Sequence, residues 1–77
     1  MDNKINAEFI ERYQILYQKD PQSKVFAPLT EAYLKIGLIK EALEIAQKGV
    51  KNHPHFAGGR LALAKVLLEL KKKSQVI

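Results

Sequence analysis

Four segments of the chain place apolar residues at the three- and four-residue spacing of an amphipathic helix. The first begins between Asn3 and Asn6 and ends before Asp20-Pro21. The second has Ser23 as its candidate N-cap and ends at Gly37. The third ends at His53-Pro54, and the fourth runs from about Phe56 to Lys72. No segment alternates with the period of two that a strand requires. The pattern therefore predicts an all-α chain of about four helices.

Each predicted helix has an apolar stripe that we expect to face a core. In the first three helices the stripes are Phe9, Ile10, Tyr13, Leu16 and Tyr17; Phe26, Leu29, Tyr33 and Ile36; and Leu38, Ile39, Ala42, Leu43, Ala46, Gly49 and Val50. In the fourth helix the stripe is Leu63, Ala64, Leu67 and Leu70. The fourth helix also carries Leu61, Val66 and Leu68 outside its stripe, so we expect it to be covered on more than one side.

Two features of the second and third helices predict their boundaries and their packing. Pro28 has no N–H to donate, so it belongs in a first helical turn or at a bend. Gly37 is expected to end the second helix in the left-handed conformation. A glycine inside a helix costs about 0.8–1 kcal/mol relative to alanine. Gly49, together with Ala42 and Ala46, therefore predicts that another helix packs closely against the third one.

Similar or complementary residues recur at a spacing of 33 or 34 positions along the chain. The pairs are Phe9 and Ala42, Tyr13 and Ala46, Leu16 and Gly49, Pro21 and Pro54, Leu29 and Leu63, Thr30 and Ala64, and Tyr33 and Leu67. A period of about 34 residues is typical of the tetratricopeptide repeat, with its pattern W-x2-L-G-x2-Y, A-x3-F and P. The sequence resembles that pattern at Phe26, Leu29, Thr30, Tyr33, Gly37, Ala42, Ala46, Gly49 and Pro54. It differs in having Phe26, Thr30 and Ala46 where the family has Trp, Gly and an aromatic residue.

The resemblance implies a single domain, residues 1–77, of antiparallel helix-turn-helix units in a short right-handed superhelical array. Residues 1–20 resemble the second helix of a preceding repeat, 23–56 a full repeat and 57–73 the first helix of a following repeat, with 74–77 as a tail. The array would end with an open face, since Arg60 and Lys71 depart from the pattern. Either the chain is a segment of a longer protein, or a second chain covers Leu61, Val66 and Leu68.

Composition favours a non-enzymatic protein. The 77 residues include no cysteine, and the two serines have no neighbouring base, so neither a nucleophile–base pair nor a thiolate metal site is expected. His53 and His55 lack a third metal ligand, and we expect no metal and no cofactor. The first residues contain no apolar run that resembles a signal peptide, and no apolar run reaches membrane-spanning length, so we expect a soluble, cytoplasmic protein without a membrane partner.

The resemblance implies that the first helix of each repeat lines a concave groove for another protein or peptide. The corresponding residues here are Lys24, Ala27, Glu31, Leu34, Lys35, Leu61, Lys65, Leu68 and Glu69. Leu34 and Leu68 would form an apolar floor, although two isolated surface leucines are an equal alternative. Glu31 stands where a carboxylate clamp would need an amide donor, so recognition of a chaperone tail is not expected. Self-association as a homodimer or larger homo-oligomer, through Leu61, Val66 and Leu68, is a further prediction.

Net charge raises an alternative function. Residues 1–47 hold six basic and seven acidic residues, for a net charge of −1, whereas 48–77 hold seven basic residues and Glu69 alone, for +6. The third and fourth helices could then act as a helix-turn-helix, with Arg60, Lys65 and Lys71 on nucleic-acid phosphates. The fourth helix has few side chains suited to reading bases, so nucleic acid remains the second hypothesis.

Overall fold

The computed structural model describes residues 3–75, and the side chains of residues 9–73. It contains four α-helices joined by short connections, and this part of the chain has no strand. The helices are α1 (Asn3–Lys19), α2 (Phe26–Lys35), α3 (Ile39–Asn52) and α4 (Ala57–Gln75). The prediction of an all-α fold with about four helices is confirmed.

The turn between α2 and α3 forms as the sequence predicts. Gly37 has a φ of +85°, in the left-handed region. Its N–H donates to the carbonyl of Leu34 at 3.1 Å, and the N–H of Leu38 donates to the carbonyl of Tyr33 at 2.9 Å. These two bonds form a Schellman motif, which satisfies carbonyls left free at the helix end. The connection is three residues long, so α2 and α3 lie side by side and antiparallel.

The start of α2 differs from the predicted cap. Ser23 was expected to cap the helix directly, but its Oγ accepts a hydrogen bond from the N–H of Val25 at 3.1 Å, one turn before the helix. Val25 itself precedes α2 and offers no side-chain cap. Pro28 is the third residue of α2, inside the first turn as predicted. It leaves no helical hydrogen bond unmade there, because the first N–H groups of a helix have no partner within it.

The second helix is the centre of the packing. It contacts α1, α3 and α4, whereas α1 packs on α2 alone among the described helices. The described part of the chain measures 39 × 33 × 17 Å, and its shortest dimension corresponds to two layers of helices with axes about 8–10 Å apart. A layer this thin buries few side chains completely. The large ones that it does bury are Phe26, Leu29, Thr30 and Val66.

Several residues of the predicted stripes lie at the surface instead of in the core. Those exposed by 40–50% are Phe9, Leu16, Ile36, Leu38 and Leu67, and Ala64 is exposed as well. The error is largest in α4, where the buried residues are Gly59, Ala62 and Val66. The small residues of α4 face inward because α2 already supplies the bulk: a Cβ on Gly59 would overlap the ring of Phe26.

The end of α4 also differs from the prediction. A tail was expected from Ser74, but the helix continues to Gln75, because no glycine or proline interrupts it after Gly59. Val76 and Ile77, the rest of the predicted tail, lie outside the described residues.

Candidate protein-binding groove

Six of the nine residues predicted for the groove come together between α2 and α4. Glu31, Leu34 and Lys35 contribute from α2, and Lys65, Leu68 and Glu69 from α4. They surround an open groove of about 400 Å³. Each set lies on one helical face because its second and third members follow the first by three and four residues.

The groove combines an apolar centre with charged borders. Leu68 is 54% exposed and Leu34 is half-buried, so both keep apolar surface available. Lys65 Nζ lies 3.2 Å from Glu31 Oε1 and joins the two helices across the groove, and Lys72 Nζ lies 3.9 Å from Glu69 Oε2. Surface pairs of this kind stabilise a fold by about 0–1 kcal/mol. Their main effect here is to fix the positions of positive and negative groups beside Leu34 and Leu68.

The other three predicted groove residues do not line this groove. Ala27 is buried and packs beside Phe26, Ala62 and Phe56. Lys24 places its ammonium 5.1 Å from the centre of the Phe56 ring, a distance at which a cation and an aromatic face attract each other. Leu61 is 55% exposed, one helical turn before Lys65. The sequence did not indicate this role of Phe56, which fills the space beside the start of α2.

The residues predicted to pack the repeat are brought together. Phe26, Leu29 and Tyr33 of α2 are buried, as are their small counterparts Ala42, Ala46 and Gly49 of α3. A Cβ on Gly49 would overlap the Phe26 ring, so this ring packs directly on the backbone of α3. The Phe26 ring also stacks on His53, with centroids 6.2 Å apart and planes 5° from parallel. Pro54 lies exposed in the turn after α3.

The predicted self-association face of Leu61, Val66 and Leu68 does not exist as one exposed surface. Val66 is fully buried in the core with Leu29 and Tyr33. Leu68 belongs to the groove. The spacing of Gly59, Ala62 and Val66, at i, i+3 and i+7, was the signal for the buried face. It was missed because larger residues on the same helix formed a competing stripe.

Three further depressions were not predicted, and the third is described below with the basic residues. One lies between α1 and α2, has a volume of about 230 Å³, and is lined by Phe9, Ile10, Tyr13, Pro28, Glu31, Ala32, Lys35 and Ile36. The second lies between α3 and α4, has a volume of about 450 Å³, and is lined by Val50, Pro54, Arg60, Leu63, Ala64 and Leu67. Both are bordered by the stripe residues that the structure leaves exposed.

The basic residues of the second half are distributed over separate regions. Lys65 and Lys72 lie beside carboxylates, as described above. Arg60 Nη1 donates to the carbonyl of Pro54 at 3.4 Å. Lys48 and Lys51 border a depression on the side of α3 that faces α1. Arg60 and Lys65, two of the three residues of the helix-turn-helix alternative, thus lie on different sides of α4: Arg60 at the depression between α3 and α4, and Lys65 at the groove.

None of the helices over residues 3–75 is long and apolar enough to cross a membrane. Within the same residues, His, Asp and Glu side chains form no group of three that could hold a metal ion. Comparison of the chain with protein-family models, with curated proteins and with solved structures found no match in any of the three.

Proposed function

We propose that this chain is a non-enzymatic protein-interaction module, an adaptor or scaffold that binds a segment of another protein in the groove between α2 and α4. The observation that carries the proposal is the position of Leu34 and Leu68. These leucines come from different helices and border the same groove. Neither side chain is fully buried in the core. Two isolated surface leucines would not be expected to converge in this way.

The charges define the chemistry of the bound segment. Glu31 and Lys65 are paired across the groove at 3.2 Å, and Lys35 and Glu69 border it further along α2 and α4. Basic and acidic groups are thus balanced, so neither a strongly acidic nor a strongly basic peptide is favoured. A segment with one or two large apolar side chains, flanked by residues of both signs, fits this surface. The tetratricopeptide resemblance of residues 23–56 supports the same class of function.

The experiment is a selection from a library of random peptides displayed on phage, followed by affinity measurements on the winning peptides. Leu34→Glu and Leu68→Glu should each weaken binding by about tenfold or more, because they put an unpaired charge at the apolar centre. Ile15→Glu is the matched control, since Ile15 is 50% exposed on α1, away from the groove. The proposal would be contradicted if the selected peptides bound both groove variants with the same affinity as they bind the unchanged chain.

Salt separates this function from nucleic-acid binding. A peptide held by apolar contacts should lose little affinity as the salt concentration rises. An affinity for oligonucleotides that falls steeply with salt, and that survives Leu68→Glu, would favour the nucleic-acid alternative instead.

A further inference from the structure

The outer face of α4 and the outer face of α1 lie at opposite ends of the chain, and both are apolar and exposed. On α4, Leu67 is 49% exposed, and Ala64 is exposed beside it. On α1, Phe9 is 49% and Leu16 is 46% exposed. The contact between α2 and α3 within the chain indicates how these two outer faces can pack against each other.

The internal period relates these faces to the buried contact between α2 and α3. The residues that follow Phe26, Thr30 and Tyr33 of α2 by 34 positions are Arg60, Ala64 and Leu67 of α4. The residues that precede Ala42, Ala46 and Gly49 of α3 by 33 positions are Phe9, Tyr13 and Leu16 of α1. The exposed face of α4 therefore corresponds to the buried face of α2. The face of α1 with exposed Phe9 and Leu16, and with Tyr13 half-buried against the chain's own core, corresponds to the buried face of α3.

The sizes of the aligned residues are complementary at one of the three pairs of positions. Within the chain, α2 supplies large residues and α3 small ones, with Phe26 against Gly49. In the shifted pair the small Ala64 of α4 lies opposite the half-buried Tyr13 of α1. Leu67 opposite Phe9 is an apolar contact between two large residues, and Arg60 and Leu16 are both large as well. A large residue opposite a small one fills the space between two helices at interior density.

Charge agrees with the same alignment. The ring of His53 stacks on Phe26 within the chain. The positions that correspond to these two residues are Asp20, 33 before His53, and Arg60, 34 after Phe26. Both are exposed. The shifted pair thus places an aspartate opposite an arginine, a pairing that favours this register over others.

We propose that the chain assembles head to tail: α1 of a second copy docks on α4, in the depression between α3 and α4. The residues that line this depression include Arg60, Ala64 and Leu67, the same three that the shift assigns to the contact. Leu67 meets Phe9 of the second copy, Ala64 meets Tyr13, and Arg60 pairs with Asp20. None of these residues lines the α2–α4 groove, so this proposal goes beyond the peptide-binding function and is tested separately from it.

Because the contact joins two different faces, it leaves one of each free at the ends and allows further copies to add. Light scattering after size-exclusion chromatography, over a wide range of concentrations, should show a mass that rises beyond two chains of 8.7 kDa each. A mass of one chain at every concentration would overturn the proposal, and so would a mass that stops at two chains, as expected of a symmetric contact.

Two blocked variants give the sharper test. Leu67→Glu blocks the α4 face and Phe9→Glu blocks the α1 face, so each variant alone should be monomeric. Mixed in equal amounts, they should form a dimer of one copy of each, because each still has the face that the other lacks. A mixture that remains monomeric, or a single variant that still assembles, would contradict the head-to-tail contact.

Charge reversal tests the register without adding charge to an apolar face. Asp20→Arg and Arg60→Asp should each weaken assembly, and the double variant should restore it, since the pair is then present with its signs exchanged. Ile15→Glu and Leu68→Glu are the controls: both alter a comparably exposed residue on α1 or α4 outside the contact, and both should assemble normally. Circular dichroism of every variant confirms that it is helical. Loss of assembly in the controls, or a double variant no better than either single one, would overturn the assignment.

Discussion

The α2–α3 crossing and the outer face of α4 are built from corresponding residues, yet one is buried and the other is open. Leu29 and Tyr33 on α2 are exposed by 1% and 8%, whereas their counterparts Leu63 and Leu67 on α4 are half-buried and 49% exposed. The difference lies in what faces them. The small residues of α3 allow a close approach to α2, while no described helix covers Leu67. Similar local sequence therefore has a different role according to its neighbour.

The largest effect should separate two leucines that differ in burial. Leu29→Ala should lower the free energy of unfolding by about 2–5 kcal/mol, because it leaves a cavity in the core. Leu67→Ala should lower it by less than about 1 kcal/mol, since much of that side chain is already in water. Urea unfolding followed by circular dichroism, at concentrations where the chain is monomeric, measures both. Equal losses would remove the distinction between the two faces.

The next effect tests the closeness of the crossing. Ala42 is fully buried against α2, so Ala42→Leu should destabilise the fold by about 1–3 kcal/mol through overpacking. Gln47→Leu places the same side chain on an exposed position of α3 and should change stability by no more than about 0.5 kcal/mol. Thermal unfolding of the two variants side by side is the measurement. If Ala42→Leu had the same melting temperature as the unchanged chain, the assigned helix crossing would be wrong.

A smaller effect is expected at the turn that makes the crossing possible. A Cβ at Gly37 would meet no atom within 4 Å, so Gly37→Ala costs only the strain of a left-handed backbone, about 1–2 kcal/mol. Gly37→Asn should cost less, because asparagine tolerates that conformation better than alanine. Chemical unfolding of both variants compares them. An alanine variant as stable as the asparagine variant would mean that the turn has another conformation.

The smallest effect is expected at Thr30, which is fully buried in the crossing. Within the described residues its Oγ1 has no hydrogen-bond partner. Thr30→Val keeps the shape and removes the unsatisfied hydroxyl, so stability should be unchanged or slightly higher. Thr30→Ser keeps the hydroxyl, removes a methyl group and should be less stable. Unfolding measurements that find the valine variant clearly the less stable of the two would show that the hydroxyl is bonded after all.

The sequence predicted most of the fold because its signals are local. Helix ends at Asp20-Pro21, Gly37 and His53-Pro54 agree with the observed bounds within a few residues. The crossing was also predictable, since a glycine inside a helix, such as Gly49, implies a close neighbour. The groove was predicted in part: Leu34 and Leu68 follow from helical spacing, but the place of Lys24 over Phe56 depends on the loop before α4.

By itself, then, the sequence determined four helices, their approximate ends, and the contact of large residues on α2 with small ones on α3. Only the tertiary structure decided which side of α4 is buried. That helix is apolar around most of its circumference, so its own pattern does not select a face. Phe26 selects it: the ring projects toward α4 and leaves room only for Gly59 and its small neighbours. Val66 is therefore in the core and Leu67 at the surface, because space inside the chain had already been filled.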